Sequence, residues 1–258
     1  MSDGRPFSNC ILDLAPPDIA WFRERSDIIL VPIGSCEQHG AHLPIGTDTI
    51  TALEVSRRAA AKADVPYTAP FWAGYSPQHM RETESSVGTI TLRASTLNAV
   101  LYDILRSLIH HGWNKLILVN GHGSNVKVLD PLLRRIKYET GALVALYKPY
   151  AERYIGILEG LLENPPEETP GWHSSELETS QVMAYDESLV RMDRAVAQVP
   201  VKPASLPDAF VKNDGAVSIR RSFVVEDWQR LCAAAGLDAR TVSINEYRPA
   251  RLCVGRIK

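Results

Sequence analysis

Asp27-Ile28-Ile29-Leu30-Val31-Pro32-Ile33-Gly34 is a run of apolar and β-branched residues that stops at a glycine. It reads as a buried strand ending in a loop. Leu116-Ile117-Leu118-Val119 and Ala142-Leu143-Val144-Ala145-Leu146 are two more runs of the same kind. Stretches with helical spacing lie between them. Ile50, Leu53, Val55 and Ala59 mark a helix from about 48 to 63. Leu97, Val100, Leu101, Ile104, Leu105 and Leu108 form the apolar face of a second, with Ser95 or Thr96 expected as its cap and Gly112 as its end. A third is expected from about 125 to 139. Strands separated by helices imply βαβ crossovers and a parallel sheet, with ligands outside the carboxyl ends of its strands. Gly88-Thr89-Ile90-Thr91-Leu92 reads as a further strand or edge segment, Pro66–Pro70 as a short extended piece, and Glu226–Ala235 as one helix in the tail.

Composition narrows the function. A chain of 258 residues should bury roughly 70–75% of its unfolded surface without help from disulfides. A formal net charge of −2 and the lack of a basic stripe interleaved with aromatics argue against nucleic acid as a partner. No apolar run approaches the ~20 residues of a membrane span, and the amino terminus lacks the apolar core of a signal peptide. The four cysteines, Cys10, Cys36, Cys232 and Cys253, show no Cys-x-x-Cys spacing and read as free thiols. A cytoplasmic protein that acts on a small molecule is the expectation.

The strand at 27–34 leads directly into Glu37-Gln38-His39-Gly40-Ala41-His42, and Asp48 follows at the start of the first helix. Alternate side chains of an extended segment share a face, so Glu37 and His39 can point at one ion. A carboxylate at a helix start, such as Asp48, can offer one oxygen to each of two metals. Asn120-Gly121-His122-Gly123-Ser124-Asn125 follows the second strand, and its two glycines let the backbone hold the imidazole at the sheet edge. The same Gly-x-Gly could cradle a phosphate, although the third glycine and downstream acid of a dinucleotide fingerprint are absent. In Trp172-His173-Ser174-Ser175-Glu176-Leu177-Glu178, Ser175 and Glu178 fit a helix capping box. The functional alternative makes His173 a proton shuttle and Glu178 a further ligand. Ser124, Asn125 and Trp172 are expected substrate contacts. His42 is a candidate outer residue of the centre, Cys36 is expected to pack inward, and the acidic, proline-rich stretch 159–170 reads as a lid or as a passive surface loop.

Three motifs together carry a resemblance: Gly34-Ser35-x-Glu37-Gln38-His39-Gly40-x-His42-Leu43-Pro44-x-x-Thr47-Asp48, Asn120-Gly121-His122-Gly123-x-Asn125, and His173-x-x-x-x-Glu178-Thr179-Ser180. In this order and combination the chain resembles the creatininase (creatinine amidohydrolase) family. The resemblance implies a single-domain, three-layer α/β sandwich over residues 1–258, with a mostly parallel sheet flanked by helices and the site at the strand carboxyl edge. It implies a two-metal hydrolytic centre, and carboxylate and imidazole donors suit two divalent ions (zinc, manganese or iron) with a water bridged between them. It also implies a homo-oligomer, often a hexamer. Carried over, Glu37, His39, Asp48 and His122 match the metal ligands, and His173 and Glu178 match the functional histidine and glutamate; the stretch Gly74–His79 resembles a family loop near the pocket, which makes His79 an expected substrate contact. Gly123 and Ser124 depart from creatininase itself, where tyrosine and a metal-binding glutamate stand. This is closer to relatives reading His-Gly-Gly-Asn, and it makes Glu178 the expected replacement carboxylate. Amide, cyclic amide, formamide, modified-peptide and cyclic keto-sugar substrates all stay open. A non-catalytic small-molecule-binding protein on the same scaffold is the reading of another class.

Overall fold

The computed structural model describes residues 5–80, 87–147 and 173–195 in full, and the backbone of two strands between 242 and 256. The chain divides into two compact units, Met1–Ala151 with Ser180–Ala195 and Glu152–Thr179 with Val196–Lys258. In the first unit β1 (Ile28–Ile33), β2 (Lys115–Asn120) and β3 (Leu143–Tyr147) form a parallel sheet in the order β1-β2-β3. Ile28 pairs with Lys115 and Ile33 with Asn120, so β1 and β2 end level. Outside β1 the segment 66–71 adds an irregular parallel edge, with Leu30 N–H donating to the Pro66 carbonyl and Gly34 N–H to the Phe71 carbonyl.

Alternation along the strands decides which helix covers which face. Ile29, Val31, Ile33, Leu116 and Leu118 point to one side. They pack there with Phe22 of α1 (Pro16–Arg25), Leu97, Leu101, Leu105 and Leu108 of α3 (Ala94–His110), and Leu129, Leu132 and Ile136 of α4 (Asn125–Thr140). Leu30 and Val119 point to the other side, against Ala60 of α2 (Thr47–Ala63) together with Val65 and Tyr67. The parallel sheet flanked by helices is therefore the α/β layering that the sequence implies. Each fully buried leucine of α3 contributes about 1.5–3 kcal/mol relative to an exposed position.

Two local expectations change, and one helix had not been expected. Arg93, not Ser95 or Thr96, stands at the amino-terminal boundary of α3, so both hydroxyl residues lie inside its first turn. The stretch 88–92 makes only an isolated antiparallel bridge, Ile90 to Cys36. α1 has no apolar periodicity strong enough to announce it. Its start is written instead as proline at its first two positions, with Asp18 accepting from the Ala15 N–H. Gly112, at φ +92°, ends α3 as expected. In the second unit β4 (Val242–Tyr247) and β5 (Arg251–Arg256) pair antiparallel, with Val242 opposite Arg256. The expected tail helix and the 159–170 stretch lie outside the described residues.

Candidate metal centre

Two glycines set the distance between the sheet and the first turn of α2. A Cβ on Gly34 would overlap the Thr49 backbone, and one on Gly121 would overlap the Asp48 carbonyl oxygen. Only glycine permits so close an approach, and it lowers Asp48 into the space between the ends of β1 and β2. Beyond β1 the chain turns back through Glu37, whose N–H donates to the Ile45 carbonyl. Glu37, His39, Asp48 and His122 are each at most 4% exposed.

Asp48 lies between the two histidines and presents a different oxygen to each. His39 Nε2 is 3.3 Å from Oδ1, and His122 Nδ1 is 3.0 Å from Oδ2. His122 Nδ1 is also 3.3 Å from Glu37 Oε1. Both rings are anchored from behind. His39 Nδ1 is 3.0 Å from the Glu37 carbonyl, and His122 Nε2 is 3.1 Å from the Tyr75 carbonyl. A carbonyl only accepts, so each outer nitrogen carries the proton and each inner nitrogen faces the carboxylates. Metal-binding histidines are oriented in the same way.

The electrostatics follow from this crowding. Burial alone pushes Asp48 up, but His39 and His122 outweigh it and hold the carboxyl well below its usual range. Glu37 is also lowered, with burial opposed chiefly by His122. Burial likewise works against a charged His122, yet Glu37 and Asp48 raise it well above an ordinary histidine. A buried nest of carboxylates and imidazoles that stabilises a proton this strongly is a donor set suited to a cation. Glu37, Asp48 and His122 each offer a ligand atom, all within 4.8 Å of one another. Among the described residues the grouped donors are carboxylates and imidazoles, a set that suits zinc, manganese or ferrous iron.

Other expected residues take different places. His79 is buried behind Glu37, with Nε2 3.6 Å from Glu37 Oε1 and Nδ1 3.3 Å from Gln38 Nε2. Ser124 stands at the start of α4 and accepts from Gln78 Nε2 at 2.7 Å. Asn125 is fully buried and braces three segments, donating to the Gly34 carbonyl and Asn120 Oδ1 and accepting from the Tyr75 N–H. His42 is half-buried, and burial followed by the charge of His39 lowers its pKa. Cys36 packs inward as expected, with Sγ 3.5 Å from the Gly88 carbonyl.

Glu178 caps its own helix, α5 (Glu176–Asp186). Its N–H donates to Ser175 Oγ at 3.4 Å and its Oε2 accepts from the Ser174 N–H at 2.5 Å. The return bond of the capping box thus goes to the residue before the cap. His173 precedes it in a turn where Ser174 adopts φ +53°. Trp172 lies outside the described residues. Sequence reading gave no role to Ser35, although it stands in the first motif, or to Ser76; both are wholly buried, Ser76 against His122 Nε2 and Ser35 against Ser76. The signal for Ser35 was its place in the motif, whereas Ser76, a serine in a loop, offers little.

The family model described as creatininase, creatinine amidohydrolase, matches residues 13–236. The chain belongs to the creatininase family. It is 29% identical to the creatinine amidohydrolase of Pseudomonas putida over 184 residues, 67% of this chain and 70% of that one. It is 26% identical to the 3-dehydro-scyllo-inosose hydrolase of Thermotoga maritima over 196 residues, 74% of this chain but only 60% of the relative. It is 38% identical to a mycofactocin precursor peptide peptidase of Mycobacterium ulcerans over 120 residues, 43% of this chain and 46% of that protein. Among solved structures, a creatininase variant of zinc–zinc type superposes with a TM-score of 0.62 at 26% identity, covering 77% of this chain and 81% of that one. A manganese creatininase gives 0.61 at 26%, covering 76% and 80%. These relatives are named hydrolases, and the family is metal-dependent. Among the described residues, no helix is long and apolar enough to cross a membrane.

Proposed function

We propose that this chain is a metal-dependent hydrolase of an amide, a cyclic amide or a related carbonyl compound, with two divalent ions held around Asp48. One observation carries the reading: Asp48 offers separate oxygens to His39 and His122, and both rings are locked from behind onto backbone carbonyls. Glu37, Asp48 and His122 would hold one ion, and His39 with the other Asp48 oxygen would contribute to the second. Bound there, the ions would supply Lewis-acid polarisation of the carbonyl and an activated water at neutral pH. The protein's own part is to keep both carboxylates ionised, to fix both tautomers and to exclude bulk water from four buried donors. The sequence motif alone supports His173 as proton donor and Glu178 as replacement ligand for the position of Ser124. Family resemblance and composition support a homo-oligomer, a small-molecule substrate and a cytoplasmic setting.

The three relatives are named for creatinine, 3-dehydro-scyllo-inosose and the mycofactocin precursor peptide, so compounds of these kinds make the first panel. Elemental analysis of protein purified without chelator, combined with turnover of creatinine, a keto-inositol and a short peptide, tests the reading. Two ions per chain and metal-dependent turnover of one class are expected. A protein that takes up neither zinc nor manganese would leave the scaffold as a binding module and overturn the proposal.

A further inference from the structure

We infer that Ser76, backed by Ser35, is a positioning residue that aims the His122 ring at the carboxylates; the assignment rests on the metal-centre reading above. His122 Nε2 has two oxygens at 3.1 Å, the Tyr75 carbonyl and Ser76 Oγ. The carbonyl accepts only, so the single Nε2–H is shared between them and Ser76 accepts as well. The Ser76 hydroxyl hydrogen is then left to give, and Ser35 Oγ stands 2.5 Å away to take it. Both serines are completely buried. The chain Ser35–Ser76–His122 therefore runs in one direction and ends with Nδ1 facing Asp48 and Glu37.

The loop that carries these oxygens is held on both sides. The Tyr75 N–H donates to Asn125 Oδ1 at 2.9 Å and the Ser76 N–H to Thr91 Oγ1 at 2.8 Å. The Leu92 N–H donates to the Gly74 carbonyl at 2.9 Å. Two oxygens fixed at one ring nitrogen define the plane of the imidazole, whereas the Tyr75 carbonyl alone leaves it free to rock. Outer partners of this kind set ligand orientation and basicity, and their loss typically costs about 10–100-fold in metal affinity.

The test is Ser76→Ala in the full chain. Zinc and manganese affinities are measured by chelator competition, the Tm of the metal-free protein is recorded, and solvent exchange of the His122 Nε2–H is followed by nitrogen-15 NMR of the zinc form. We expect affinity about 10-fold weaker or more, faster exchange of that proton, and a metal-free Tm close to wild type. Ser35→Ala, which leaves the contact to His122 in place, should weaken affinity less and in the same direction. It carries the test alone if Ser76→Ala does not fold. Affinity within two-fold of wild type, or a metal-free Tm that falls in step with affinity, would overturn the assignment while leaving the metal centre intact. A wild-type protein that binds neither metal would overturn the metal centre itself.

Discussion

Two regions of the first unit are equally dry and behave in opposite ways. Leu97, Leu101, Leu105, Leu116, Leu118 and Leu129 are fully buried between the sheet and α3 and α4. Ser35, Glu37, His39, Asp48, Ser76, Asn120, His122 and Asn125, at the carboxyl ends of β1 and β2, are no more than 4% exposed. In the first region burial is itself the stabilising term, non-directional and proportional to area. In the second, every buried group destabilises unless a partner stands at hydrogen-bonding distance. Burial alone thus says nothing about stability. The polar shelf keeps its geometry because the leucine core beneath holds the strand ends in place.

The comparison can be broken most visibly from the core side. Leu101→Ala should lower stability by about 2–5 kcal/mol, or roughly 5–15 °C in Tm for a chain of this size. Metal bound per folded chain should stay unchanged, as read by calorimetry and elemental analysis. Gly121→Ala sits on the boundary. Overpacking typically costs about 1–3 kcal/mol, and here the added methyl pushes against the Asp48 carbonyl, so Tm and metal uptake should fall together. Asp48→Asn should act on the shelf alone. Wild type should gain about 2.7 kcal/mol when metal is at 100 times its Kd, and the variant should lose that metal-dependent rise in Tm.

Smaller effects sharpen the contrast. Glu178→Gln keeps a side-chain oxygen for the Ser174 N–H, so Tm should barely move while metal content per chain falls. Glu178→Ala, which also loses the cap, should cost about a further 0.5–2 kcal/mol. Unchanged metal content in both would reduce Glu178 to its capping role. Away from both regions, the buried Glu54 carboxylate of α2 accepts from the exposed Arg57 and Arg58, and the hydrogen bond from Arg57 leads in lowering its pKa. A lowered folded-state pKa stabilises above the unfolded value of about 4.3, and the contribution disappears as pH falls through the folded value. The arginine heads stay in solvent, so Glu54→Gln should cost about 1 kcal/mol at pH 7, and the difference should vanish once acid has protonated the carboxylate in wild type.

Most of the fold was legible because its signals are local. Apolar runs gave the three parallel strands, helical spacing gave α2, α3 and α4, and Gly112 marked a helix end. The candidate site was legible where a motif concentrates donors, at Glu37, His39, Asp48 and His122, which the fold brings together. What was hidden depends on distance along the chain. Ser35 meets Ser76 across 41 residues and Asn125 meets Gly34 across 91, and neither pairing leaves a periodic trace. Asn125 and His79 read as substrate contacts from their neighbourhood, whereas their hydrogen-bonding groups face protein partners. α1 was missed because its start is written in prolines rather than in periodicity.

The close seating of α2 has a consequence for anyone who would graft this centre onto another parallel α/β scaffold. Copying the donors would not be enough, since a host with ordinary side chains at the two strand exits would hold the aspartate too high to reach both imidazoles. The minimal transferable unit includes two residues with no functional group at all, Gly34 and Gly121.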